Sequence, residues 1–266
     1  MIFITLVRRS LSRHRALAAV LAVLLSGFQL LLIATAASLQ RQGLFAQFAA
    51  LVPPFVQEAM GGAFAASFTG TIALGFFHPV VMLSLSCAAV YMASEPAGEV
   101  EDGLVDLVVA RPVARHLMVT RSAFVYASVT AFIVLLMFLA NRGALRWLAP
   151  DSAAMPSTRL WWVVLNLLAV VWCFGAAALA LAARVRRRAT AAGTIALAAV
   201  FLYLLQFAAA AWTPLRPIGR ISPFHYYEAL RTLLGLGTPA KDIALLLSVT
   251  MALLAVAYAS YMHRDL

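Results

Sequence analysis

An all-α polytopic membrane protein of six transmembrane helices is the fold this sequence predicts. Three observations carry that prediction. Of 266 residues, 64% are hydrophobic and 11% charged, with a mean hydropathy of +0.93, whereas a soluble domain is about half apolar and a quarter charged. Six apolar runs each approach the ~20 residues that a helix needs to cross hydrocarbon. The arginines fall in short groups between those runs, as loop charges of membrane proteins do. The net charge of +10 therefore reads as membrane topology, and nucleic-acid binding is not expected.

The first run is Ala16–Ala37. Arg8, Arg9, Arg13 and Arg15 precede it and Ala34-Thr35-Ala36 closes it, a pattern similar to a signal peptide with a twin-arginine pair. The run is long for a signal and five more follow, so a retained first span is expected. Residues Met1–Val7 are apolar and are expected to form a short interfacial helix leading into it. The second run is Thr69–Met92. The third, Ser122–Ala140, is among the shortest. The fourth, Trp161–Ala183, and the fifth, Ala189–Trp212, are separated only by Arg184-Val185-Arg186-Arg187-Arg188, which predicts a tight helical hairpin. The sixth is Ile243–Tyr261. No repeat, low-complexity tract or soluble module interrupts them, so residues 1–266 read as a single transmembrane domain.

Six crossings place both termini on one side. If that side is cytoplasmic, twelve of the 20 basic residues lie in inner segments, the sense of the positive-inside rule. Cys87 and Cys173 both fall inside apolar runs and read as small buried hydrophobes.

Several chemistries are excluded by what is missing. Lys241 is the only lysine and Ala240 precedes it, so the phosphate-cradling G-x-x-x-x-G-K-[ST] loop cannot occur. No H-E-x-x-H zinc helix and no G-x-S-x-G nucleophile elbow is present. No catalytic, metal or cofactor site is expected. One loose constellation remains. Ser222, His225 and Glu228 are spaced three apart, so a helix would bring them near one face. An enzyme could use them as nucleophile, base and carboxylate. The competing reading is an N-capping serine followed by interfacial Phe224, Tyr226 and Tyr227.

Five of the ten acidic residues fall between the second and third runs: Glu95, Glu99, Glu101, Asp102 and Asp106. Read as a helix, Glu95, Glu99, Asp102 and Asp106 share one face, and Val100, Leu104, Leu107 and Val108 share another. Pro112 stops it. Anionic headgroups would repel such a face, so a solvated surface helix is the weaker reading. A protein partner with a basic surface explains the acids better.

This segment resembles the membrane subunit of an ATP-binding-cassette exporter, the bacterial six-helix permease class of the ABC-2 superfamily. After their second helix those permeases carry an acidic residue, Gly-x-Leu, a leucine-rich helix, Pro-Val-Ser-Arg and a later basic residue. The matches here are Glu99 and Glu101, Gly103 and Leu104, Leu107, Pro112-Val113-Ala114-Arg115, and Arg121. The usual Thr after Gly is missing, and Ala114 stands where Ser is common. Ser222-Pro223-Phe224-His225-Tyr226-Tyr227 and the ending Tyr261-Met262-His263-Arg264-Asp265-Leu266 are similar to segments at the same places in the family. The resemblance covers nearly the whole chain.

The resemblance implies a multi-pass protein of the bacterial inner membrane with cytoplasmic termini. It implies a coupling helix docked on a separate cytoplasmic ATPase subunit, two copies of which would bind the ATP. The coupling residues would be Glu95, Glu99, Glu101, Asp102, Gly103, Leu104, Asp106, Leu107, Arg111, Pro112 and Arg115. It also implies a second permease chain, identical or homologous, contact with membrane lipid, and a re-entrant segment within Pro214–Gly237, whose Pro214, Pro217 and Pro223 suit broken backbone.

Polar residues inside spans mark pathways or helix contacts. Gln29, His78, Asn166 and Gln206 are the candidates, with His78 deep in the second span and followed by Pro79, so that a proline kink with local backbone satisfaction is its competing reading. Within the runs as bounded above there is no Asp, Glu, Lys or Arg, which disfavours a proton-coupled carrier. The apolar interior would suit a lipid, a peptide or a hydrophobic drug, and the residues do not choose among them. Two other functions stay open: an interfacial enzyme at Ser222, His225 and Glu228, and a non-transporting anchor or regulator.

Overall fold

The computed structural model describes residues 2–45, 47, 67–103, 114–149 and 156–263. Among them every regular element is helical, and six helical segments are long and apolar enough to span a membrane. In chain order these are α1 (Ile2–Arg41), the pair α2 (Phe68–Phe77) and α3 (Pro79–Ala93), α5 (His116–Leu148), α6 (Ser157–Ala182), α7 (Arg188–Ala211) and α10 (Ala240–Met262). Short α4 (Glu95–Glu101) follows the second span. Between the fifth and sixth lie two 3-10 turns (Thr213–Leu215 and Pro223–Tyr226), α8 (Arg216–Gly219) and α9 (Ala229–Leu234).

Two expectations about length are corrected. The N-terminal residues form no separate helix, because α1 runs unbroken through 40 residues, about 60 Å at 1.5 Å per residue. Nothing between Ile2 and Arg41 breaks it, since that stretch holds no proline and only Gly27. The third span is not among the shortest. α5 has 33 residues, because Arg121, Asn141, Arg142 and Arg146 are all accommodated in its helix. Apolarity marked its middle and missed its ends.

The second span is broken at His78. A residue before proline is pushed out of the α region, and His78 takes φ −57°, ψ 138°. Pro79 then starts α3 at a position where its missing N–H costs nothing. Ser67 caps α2, accepting from the Gly70 N–H at 3.0 Å. α9 ends at Gly235, whose φ of +76° is left-handed, and the Leu236 N–H returns to the Arg231 carbonyl at 3.0 Å.

α6 forms the centre. Of its most apolar stretch 83% is buried, against 11% for α7 and 17% for α10. α6 packs on α3, α5 and α10, while α1 lies along α5. At Gly175 a β-carbon would stand 2.6 Å from the Tyr126 ring, so only glycine lets α5 and α6 approach this closely. The outward faces of α1 and α7 carry exposed Val23, Leu31, Leu197 and Phe201, the apolar exterior expected where lipid is the solvent.

Candidate functional site

At the end of the bundle that holds both termini, α4 is tied inward by charge. Glu95 is 3% exposed. Its carboxylate accepts from the Ser10 hydroxyl and from Arg13 at 3.3 Å. His14 Nε2 lies 3.6 Å away and Arg121 Nη2 3.9 Å away. Burial pushes the Glu95 carboxyl up. The neighbouring His14, the charge of Arg121 and the Ser10 hydrogen bond outweigh that and bring it down to about 2. Arg121, 2% exposed, forks onto Glu99 with bonds of 2.7 and 2.9 Å and reaches the Ser122 hydroxyl at 3.3 Å. Such bidentate pairs are the strong form of the charge-assisted bond.

A fourth helix joins this knot. The Arg188 backbone N–H donates to Glu101 Oε2 at 2.9 Å, its side chain donates to the Tyr91 carbonyl at 2.9 Å, and its guanidinium lies 4.0 Å from the Tyr91 ring centre. α4 is thereby fastened to α1, α5 and α7 at once. A displacement of α4 cannot occur without moving or breaking these contacts.

The acidic face is thus divided. Glu95 and Glu99 turn into the bundle, while Glu101, Asp102 and Gly103 are exposed at its rim. Gly103 takes φ +67° and ends the described part of the segment. Leu104, Asp106, Leu107, Arg111 and Pro112 lie outside the described residues, as does the tail 264–266. Arg115 stands at the N-cap of α5. The apolar runs as bounded hold no charge, but the helix of the third span extends past its run to take in Arg121, which is buried and balanced by Glu99 and Glu95.

The polar residues of the spans separate into two kinds. Gln29 and Asn166 are helix fasteners. Gln29 donates to the Gly75 carbonyl and accepts from Asn141 Nδ2 at 3.1 Å, knitting α1, α2 and α5. Asn166 donates to the Tyr226 carbonyl at 2.9 Å, holding the segment before the last span against α6. His78 and Gln206 instead line a cleft of about 760 Å³ between the break in the second span, α7 and the segment Phe224–Arg231. His78 is therefore at a helix interruption rather than deep in a continuous helix. Its Nδ1 accepts from the Val80 N–H at 3.2 Å.

Ser222, His225 and Glu228 do not form a relay. Ser222 is buried, and its hydroxyl donates to the Leu202 carbonyl at 3.0 Å and accepts from the Phe224 N–H at 3.2 Å. The His225 ring stands edge-on to Tyr226, and Glu228 pairs with Arg231 at 2.9 Å. Sequence reasoning missed Ser10, His14 and Asn141. The first two belong to no motif and lie before the first apolar run, and Asn141 fell one residue past the third.

No protein-family model and no curated protein sequence matches the chain.

Proposed function

We propose that this chain is the membrane-spanning subunit of an ATP-driven exporter, with ATP bound and hydrolysed by a separate cytoplasmic subunit. The observation that supports this best is the position of α4. It sits at the mouth of the bundle with Glu101 and Asp102 outward and Glu95 and Glu99 anchored to Arg13, His14 and Arg121. A partner that grips the outer rim would pull directly on α1, α5 and α7, three of the six spans. Two stable packings of those spans would then give alternating access. The basic groups Arg8–Arg15 and Arg184–Arg188 lie at this same end, which favours placing it in the cytoplasm.

In this reading two chains, identical or homologous, face each other in the bacterial inner membrane above two ATPase subunits. The sparsely buried α7 and α10 are the surfaces free for lipid or for the second chain.

The test is co-purification from the native host in mild detergent, comparing wild type with Asp102→Lys. Asp102 is chosen because Glu99→Lys and Glu101→Lys would each break an internal hydrogen bond, to Arg121 and to the Arg188 N–H respectively. An ATP-binding-cassette subunit recovered with wild type and lost with the folded variant is the expected result. A stable wild-type protein that brings down no ATPase would sink the proposal and leave the anchor reading ahead.

A further inference from the structure

The cleft between the second span and α7 is graded from apolar to charged. Its floor holds Met82, Phe224 and Leu230, all buried. Its side opens past Leu204 and Phe207, 59% and 44% exposed, so a molecule dissolved in the membrane can enter without crossing water. At the rim stand Glu228 and Arg231, 50% and 63% exposed and bonded to each other at 2.9 Å. The volume, about 760 Å³, is that of a pocket for one drug-sized molecule or lipid tail.

We propose that this cleft holds one zwitterionic amphiphile, with its apolar body between α3 and α7 and its head at the rim. The head's ammonium group faces Glu228 and its anionic oxygens face Arg231. The ion pair chooses the charge type. An anionic head would gain Arg231 but meet the Glu228 carboxylate, and a cationic head would meet Arg231. A head with both signs replaces the rim pair by two new pairs and leaves no charge unmatched. Binding belongs to one chain by itself. Treating the guest as cargo rests on the exporter reading above.

The experiment is native mass spectrometry of the delipidated full-length chain with dioctanoyl phosphatidylethanolamine or dioctanoyl phosphatidylglycerol. Wild type is expected to bind one phosphatidylethanolamine saturably and phosphatidylglycerol about tenfold more weakly. Glu228→Gln/Arg231→Gln should erase that preference. Leu83→Trp and Ala210→Phe, which narrow the cleft from opposite walls, should each weaken binding of the zwitterionic probe about tenfold. Equal affinity of wild type for the two lipids would overturn the proposal. So would unchanged binding in both narrowed variants, and the two are made separately so that misfolding of one leaves the other to decide. No ATPase takes part, so failure here leaves the exporter reading standing. Failure to co-purify an ATPase would leave this binding result standing.

Discussion

The Arg121 guanidinium meets the Glu99 carboxylate with two hydrogen bonds, 2.7 and 2.9 Å, across 22 residues of sequence. The pair closes a loop between the end of the second span and the start of the third. It also keeps Arg121, one of the largest fully buried side chains among the described residues, from being an unmatched charge.

Removing one partner should therefore cost more than removing both. Arg121→Ala leaves Glu99 and Glu95 without their principal cation and should destabilise by about 3–5 kcal/mol. Arg121→Met/Glu99→Leu should lose clearly less. Asp102→Asn, at the exposed rim, should stay within about 0.5 kcal/mol of wild type. Thermal unfolding in detergent, followed by tryptophan fluorescence, measures all three. An Arg121→Ala protein as stable as the double variant would mean that the pair carries no such burden.

Glu95 makes stability depend on acid. Its carboxyl lies at about 2 in the fold against an ordinary value of 4.5. A lowered value means that the folded state holds the carboxylate more firmly than the unfolded chain does. Its contribution is present in full above pH 4.5 and is lost as the pH falls towards 2. The melting temperature of wild type should drop across that window. In Glu95→Gln the drop should be shallower, starting from a lower value at neutral pH. Parallel curves for the two proteins would show that Glu95 is not the group responsible.

Gln29 and Gly75 fit each other too closely for any side chain at Gly75. A β-carbon there would overlap the Gln29 amide, and overpacking of this kind costs about 1–3 kcal/mol. Gly75→Ala should be destabilising in wild type and nearly neutral in a Gln29→Ala background. A double-mutant cycle reads the coupling directly. Additive effects would place the strain elsewhere.

Ser222 should behave as a cap. Its hydroxyl is engaged by Leu202 and Phe224, so Ser222→Ala should cost about 1 kcal/mol of stability. Wild type should take no label from a fluorophosphonate probe. Stoichiometric labelling that disappears in Ser222→Ala would revive the enzymatic alternative.

The spans were legible because the membrane imposes a one-dimensional rule, a run of apolar residues of fixed length. That rule located all six and blurred their ends. Asn141 and Arg121 lie in helix beyond the apolar middle of the third span, where polar groups survive because α1 and α4 supply partners. The acidic stretch showed the opposite weakness. Helical spacing correctly grouped Glu95 with Glu99, but no local pattern tells whether a charged face meets water or cations brought from elsewhere. Arg13 is 82 residues from Glu95, and only the packing of α1 against α5 brings it there. The break at His78 was the reverse case. Pro79 announced a kink in the sequence, but no local pattern told that the break would form a wall of a cleft with α7.

The knot around Glu95 also bears on how the chain is assembled. Synthesis proceeds from the N-terminus, so Ser10, Arg13 and His14 are already made when Glu95 emerges, while Arg121 follows later. The acidic turn thus has a waiting receptor on the first helix and gains its remaining cation when the third arrives. Each stage of insertion leaves Glu95 with partners already present, and the order of translation becomes the order in which the joint is locked.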